Sequence, residues 1–270
     1  MKFAVAVFPG TNCDRETLHV LRDVFGQTAD PVWHEDTDLA AYDCVVLPGG
    51  FAHGDHLRAG AIARFSPIMR AVERFARGDR LVWGICNGFQ VLLEAGLLPG
   101  AMLPNAGRAF VCSWVYCRVE SATTPFTARI TPGQVLRLPI AHGEGRYYAP
   151  PETLRSIERR GQVALRYCLL DGRIADAANP NGALANVAGL CNEGGNVFAL
   201  MPHPERASEP ELASQDGRAL FESLLAAAGE RPLLSPPTRD AIVGAHGVRP
   251  SSQEWARRAP LQPIMRDPTA

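Results

Sequence analysis

Lysine is nearly missing from this 270-residue chain: Lys2 is the only one, so 26 of the 27 basic Lys and Arg residues are Arg. The arginines are matched by 28 Asp and Glu, for a net charge of -1. That balance gives no electrostatic footprint for nucleic acid or an anionic membrane, and we attribute the Arg excess to coding rather than to recognition. No apolar run approaches the roughly 18 residues of a membrane span. The apolar start Met1–Phe8 meets Pro9-Gly10 too soon for a signal peptide, and we read it as the first buried strand of a cytoplasmic protein. Internal repeats are absent too. Seven cysteines are scattered at 13, 44, 86, 112, 117, 168 and 191. An odd count without a C-x-x-C pair argues against a disulfide framework or a zinc ribbon.

What is present is an ordinary globular composition, 46% hydrophobic and 20% charged, long enough for one large α/β domain. The first 95 residues alternate apolar strands with helices. Phe3–Phe8, Cys44–Leu47 and Leu81–Ile85 read as strands. Asp14–Gly26, Ala59–Ala76 and Asn87–Ala95 read as helices, with Ile62, Phe65, Met69, Val72 and Phe75 at core spacing in the second. Wholly apolar strands joined by helices predict a parallel sheet covered on both faces. From about residue 109 strands dominate: Ala109–Glu120, Val135–Ala141, Val163–Tyr167, Ala183–Leu190 and Val197–Met201, then a helix from about Ser214 to Ala228. The expected fold is a three-layer α/β domain over residues 1–229, with a mixed, mostly parallel sheet. Residues 231–270 hold seven Pro and six Arg against three acidic residues. They read as a separate tail, 230–270, either disordered or loosely docked, or else a partner-docking arm anchored by Trp255, Leu261 and Ile264.

One cysteine stands apart. Gly84-Ile85-Cys86-Asn87-Gly88 is G-x-C-x-G between an apolar strand and a helix, the thiol form of a nucleophile elbow. The geometry would expose sulfur at the carboxyl end of a strand, where open α/β sheets place their sites. It would also set it at a helix amino terminus, whose partial positive charge favours a developing anion. A merely structural Cys in a Gly-bounded turn would not need both flanking elements. The amide of Asn87 points where an oxyanion would form. Pro48-Gly49-Gly50-Phe51 ends the neighbouring strand and brings the amide of Gly50 to the same place as a second donor.

A thiol nucleophile needs a base. His203 lies in Pro202-His203-Pro204-Glu205, made rigid by its prolines, and Glu205 can orient the far imidazole nitrogen. A Cys86–His203–Glu205 triad results. His142-Gly143-Glu144-Gly145-Arg146 competes, but its glycines suggest a loop passing close to a ligand. His53 and His56 lack the further ligands of a metal site, so no metal is expected.

These segments resemble the class I, or triad, glutamine amidotransferases: GICNGFQ at Gly84–Gln90 and PHPE at Pro202–Glu205. Longer stretches, at Pro48–Ala61, Glu94–Pro99, Pro139–Tyr148, Asn179–Gly182 and Met201–Arg206, are similar to the glutaminase-subunit family of phosphoribosylformylglycinamidine synthases, from Met1 to about residue 228. The resemblance implies a flavodoxin-like fold and hydrolysis of L-glutamine. It implies ammonia delivery to a separate synthetase subunit that holds ATP and Mg²⁺, a small bridging subunit, and no cofactor in this chain. It carries over Cys86, His203 and Glu205 as the triad, Gln90 and Phe51 as substrate contacts, and the His142–Gly143 loop as the seat of the substrate's amino-acid end. His53 and His56 stand where that family more often has an aromatic residue. Rival readings are the same fold serving another acceptor, as in vitamin B6 synthesis, and a non-catalytic thiol sensor. The second leaves the rigid Pro202–Glu205 segment unexplained.

Overall fold

A computed structural model describes residues 1–229; the expected tail at 230–270 lies outside the described residues. Eleven strands and five α-helices are present among them. The strands are β1 (Lys2–Val7), β2 (Thr28–Trp33), β3 (Cys44–Leu47), β4 (Leu81–Ile85), β5 (Ala101–Leu103), β6 (Val111–Val119), β7 (Val135–His142), β8 (Arg146–Tyr148), β9 (Val163–Cys168), β10 (Val187–Cys191) and β11 (Val197–Leu200). The helices are α1 (Asp14–His19), α2 (Pro67–Arg77), α3 (Asn87–Glu94), α4 (Pro151–Arg159) and α5 (Arg218–Gly229). None is long and apolar enough to cross a membrane.

Nine strands form one sheet in the order β2-β1-β3-β4-β11-β10-β9-β6-β7, and β5 and β8 pair separately. The first five run parallel, and every later pairing is antiparallel. Only β10 and β6 therefore oppose the common direction, so the sheet is mixed and mostly parallel. Strands β3, β4 and β11 are buried along their whole lengths, as a sheet covered on both faces requires. On one face Trp83 of β4 lies in register with Phe198 of β11. Phe221 of α5 packs on Trp83, ring centroids 4.7 Å apart, and Phe126 stacks on Phe198 at 4.9 Å. The opposite face of β4 carries Gly84, against which α3 lies.

This strand order sets four carboxyl ends side by side, those of β1, β3, β4 and β11. The loops that follow them are Pro9–Cys13, Pro48–Phe51, the turn at Cys86 and Met201–Arg206. Strand β7 runs the same way and delivers His142 to that edge.

Several elements differ from the sequence expectation. The helix expected over Ala59–Ala76 begins only at Pro67. Pro67 drives Ser66 to an extended conformation (φ -60°, ψ 144°), because proline disfavours helix in the residue before it. Gly60, at φ +80°, breaks the upstream part, and Phe65 is 72% exposed rather than in the core. The helix at Asp14–Gly26 holds, but with a π-helical turn over Val20–Val24. Ala183–Asn186 is mainly a 3₁₀ turn before β10, and the last helix starts at Arg218 rather than Ser214. The sequence reading missed β2, whose Pro31 disguises it; it is an edge strand, where proline is tolerated. It also missed β5, β8 and α4.

The contact of α3 with the strand ends admits no side chain. A Cβ at Gly88 would lie 1.9 Å from the carbonyl oxygen of Leu47, and one at Gly84 would lie 2.8 Å from the carbonyl carbon of Gly88. Overpacking a core costs about 1–3 kcal/mol, and collision with backbone belongs at the upper end of that range. We expect Gly88→Ala to lower the melting temperature by about 6–12 °C, taking ~3 kcal/mol at 2–4 °C per kcal/mol for this size. Gly107→Ala, where a Cβ meets nothing within 4 Å, should leave it unchanged in the same calorimetric scan.

Candidate active site

Cys86 occupies the junction of β4 and α3 with φ 51° and ψ -104°. A non-glycine residue there is strained by about 1–3 kcal/mol and is held only by its surroundings. Here its N–H donates to the carbonyl of Leu200 on β11 (2.8 Å), and its carbonyl accepts from the amide of Phe89 (2.9 Å). The thiol faces a cavity of about 130 Å³ lined also by Asn12, Cys13, Gly50, Phe51, Phe110, Ala141, His203 and Arg206.

His203 reaches this cavity from the loop after β11. Its backbone N–H donates to Pro139 of β7 (2.8 Å), which ties the loop to the far half of the sheet. Its Nδ1 lies 2.6 Å from Oε1 of Glu205, and both residues are only 2% exposed. Burial works against an imidazolium here, but the Glu205 carboxylate and the charge of Cys86 outweigh it and hold the His203 pKa well above its usual value. With Nδ1 bound to Glu205, Nε2 is left without a hydrogen-bond partner of ordinary geometry. Such loose geometry is usual before substrate arrives. A thiol, an imidazole and a carboxylate so arranged can relay a proton to or from a bound group.

Gly50 sits at φ +151° in an isolated bridge with Thr11. The ladder uses groups on either side of it: Phe51 N–H to Gly10 O at 2.9 Å and Asn12 N–H to Gly49 O at 3.4 Å. The amide of Gly50 thus stays out of the ladder beside the cavity. Asn87 spends its side chain on structure. Its Oδ1 accepts from the amide of Ala52 (3.0 Å), and its Nδ2 donates to Asp55 (3.3 Å) and to Oε1 of Gln90 (2.8 Å).

Three of the expected substrate contacts, Gln90, His142 and Gly143, do not line the Cys86 cavity. Gln90 Nε2 donates to the carbonyl of Glu144 at 2.6 Å, so this buried side chain staples α3 to the 142–145 loop. The His142 ring is buried against Asn105 (3.1 Å) and Asn181 (3.4 Å). Burial, then the nearby His203 charge, pushes its pKa down to about 4. The His142 ring is therefore spent on structure. Gly143 lines a second cavity of about 650 Å³ with Asn105, Arg108, Phe110, Glu144 and Arg146. Phe110, 54% exposed, borders both cavities. Nearby, burial and then Glu144 raise Asp55 to about 6.

The sequence reading overlooked Cys13, Arg206, Phe110, Asn105 and Asn181. Cys13 could have been found: it follows Pro9-Gly10 at the end of a strand expected to lie in the same parallel sheet. Its sulfur accepts a hydrogen bond from Arg206 Nη2 at 3.1 Å, and it meets His203 across Gly49. A Cβ on Gly49 would be 2.7 Å from Cε1 of His203 and 2.9 Å from the Cys13 sulfur. Burial pushes the Cys13 thiol up, while contact with His203 and Arg206 draws it back. Cys13, His203 and Glu205 also have potential metal-ligand atoms within 4.8 Å of one another. His53, by contrast, contacts Ser66 at 3.3 Å and the ring of His34.

Residues 1–220 match the family model described as the CobB/CobQ-like glutamine amidotransferase domain. The chain is 56% identical over 225 residues to phosphoribosylformylglycinamidine synthase subunit PurQ of Moorella thermoacetica, covering 83% of this chain and 95% of that one. With the same subunit of Gloeobacter violaceus it shares 57% over 228 residues, covering 84% and 98%. Among solved structures, PurLQS from Thermotoga maritima contains a chain that superposes with a TM-score of 0.75 at 41% identity, over 84% of this chain and 98% of that one. With a buried thiol–imidazole–carboxylate set at the carboxyl edge of a mostly parallel sheet, and a family match over most of its length, this chain belongs to the glutamine amidotransferases of the CobB/CobQ-like domain family.

Proposed function

We propose that this chain is the glutaminase subunit of a phosphoribosylformylglycinamidine synthase. The observation that carries the proposal is that Cys86 and His203 line one cavity while buried Glu205 holds the His203 ring at Nδ1, in a chain more than half identical to such subunits.

Cys86 attacks the side-chain amide carbon of L-glutamine as thiolate. The oxyanion that develops is held by the amides of Gly50 and Asn87, the second at the start of α3, where backbone donors converge. The raised pKa of His203 suits it to its next task, protonating the departing ammonia. Glu205 keeps the ring oriented and offsets its charge. Water then attacks the γ-glutamyl thioester, His203 takes its proton, and glutamate leaves with the Cys86 thiolate restored. Phe51 beside Cys86 and the Gly143 backbone in the second cavity, with Phe110 bordering both, take the amino-acid end, and Gln90 holds the 142–145 loop in place through Glu144. None of these steps calls on a cofactor.

Ammonia passes to a synthetase subunit, which uses ATP and Mg²⁺ to convert formylglycinamide ribonucleotide to the amidine; a small third subunit bridges the two. The setting is the cytoplasm, in keeping with seven free thiols, one of them, Cys112, exposed. Because free ammonia is lost to solvent, hydrolysis is gated by the partners.

In the reconstituted complex, Cys86→Ala should lower glutamine-dependent amidination by at least about 10⁴-fold, while amidination from added ammonium salt persists. Equal glutamine-dependent rates in wild type and variant would rule out the thioester route. Glu205→Gln keeps the shape but loses the charge, and should lower kcat by about 10²–10⁴-fold with little change in KM. The chain alone should be a poor glutaminase that the synthetase activates, measured as glutamate released with and without partner; full activity in isolation would refute the gating.

A further inference from the structure

The chemistry proposed above needs one thiol, yet the cavity holds two. Cys13 and Cys86 both line it with His203. Cys13 Sγ, a ring nitrogen of His203 and a carboxylate oxygen of Glu205 all lie within 4.8 Å of one another, and all three residues are buried. Both thiols act on His203. Glu205 holds the ring through Nδ1, leaving Nε2 and the second carboxylate oxygen, Oε2, buried and without hydrogen-bond partners.

A histidine fixed at one nitrogen by a carboxylate, with its other nitrogen facing sulfur, is the arrangement that metal-binding histidines adopt. Two thiolates and an imidazole select soft or borderline cations, with zinc bonds of about 2.3 Å to sulfur and 2.0–2.1 Å to nitrogen. Closing the spacing of Cys13 and His203, no more than 4.8 Å, to the separation that such bonds set takes rotation of the Cys13 side chain, and Cys86 joins from the lining of the same cavity. We propose that Cys13, Cys86 and His203 form a binding site for a thiophilic divalent cation, zinc being the type, which excludes glutamine. The neighbouring charge supports it. Arg206, 3.1 Å from the Cys13 sulfur and held by Glu16 at 2.9 Å, adds one positive charge. Two thiolates and Glu205 against zinc leave one negative charge, and Arg206, itself paired with Glu16, is the cation beside it. Cys13, dispensable in the proposed hydrolysis, is what turns a one-thiol centre into a chelating one.

Binding rests on the cavity alone, whereas the block on hydrolysis rests on Cys86 as nucleophile, and one experiment separates the two. The full chain is titrated with Co²⁺ and then Zn²⁺, reading thiolate-to-cobalt charge transfer and tetrahedral d–d absorption. One site per chain is expected, with charge-transfer intensity halved in Cys13→Ser or Cys86→Ser and unchanged in Cys112→Ser. Zinc affinity should fall in Cys13→Ser by more than the roughly 10–100-fold typical of losing an outer partner. Wild-type chain, mapped by peptide mass after brief alkylation, gives a variant-free check: zinc should protect Cys13 and Cys86 together but not Cys112. Intensity unaffected by Cys13→Ser, or protection of Cys86 without Cys13, would overturn the site. Zinc bound at this site with undiminished glutamine hydrolysis would instead overturn the reading of Cys86 as nucleophile and the exclusion of glutamine with it.

Discussion

The structure turns on how closely α3 approaches the sheet. Gly84 and Gly88 touch across the turn, and the carbonyl of Leu47 presses where a side chain on Gly88 would be. Only with both side chains missing can a helix start within two residues of the strand's end and lie back on it. That tight reversal is what forces φ 51° on Cys86. The strain of about 1–3 kcal/mol is not relieved locally. It is offset by the packing of β4, buried along its length between β3 and β11, and by the hydrogen bond from Cys86 to Leu200. The position of the thiol at the top of a close-packed sheet is thus a consequence of two absent methyl groups.

A second backbone contact has the same logic on the other side of the cavity. Gly49 lacks the side chain that would part Cys13 from His203. The loops after β1, β3 and β11 can therefore meet although their strands are not all neighbours. Prolines on both sides of His203 reduce its freedom before folding begins, and Glu205 fixes the ring in a buried ion pair. Breaking one member of such a pair leaves an uncompensated charge. The proposed triad and the rest of the cavity wall are consequently one packed unit rather than separate groups on mobile loops.

Much of this was legible in the residues because the signals were covalent or periodic. Wholly apolar strands revealed the parallel half of the sheet, and G-x-C-x-G revealed its own geometry. The prolines around His203 announced a rigid segment. What escaped notice depended on contacts distant in sequence. Cys13 becomes part of the cavity only through the register of β1 and β3 and the bare backbone at Gly49. The buried ring of His142 and the side-chain amide of Asn105 hydrogen-bond 37 residues apart, a pairing that no local spacing encodes. Core spacing also misled: Phe65 keeps helical phase with Met69 and Val72, but the helix begins only at Pro67, so Phe65 lies outside it. The glutamine chemistry thus follows from residues in this chain, whereas the purine acceptor follows from kinship.

Polar residues around the elbow bond it to loops outside the sheet. Asn87, beside Cys86, holds Ala52 and Asp55 on one side and Gln90 on the other, and Gln90 holds Glu144. The segment so held contains His53, Asp55 and Leu57, all at positive φ, a costly run for residues with side chains. Leu57 projects 91% exposed at its tip, and Arg58 beside it is clamped to Glu94 at 2.6 Å. Strained backbone persists only while its contacts hold. The loop that carries this tip is thus bonded through Asp55 to Asn87, whose amide is the proposed oxyanion donor, and through Gln90 to the loop that borders the second cavity. This polar span links the exposed Leu57 loop to the residue next to Cys86 without passing through the sheet.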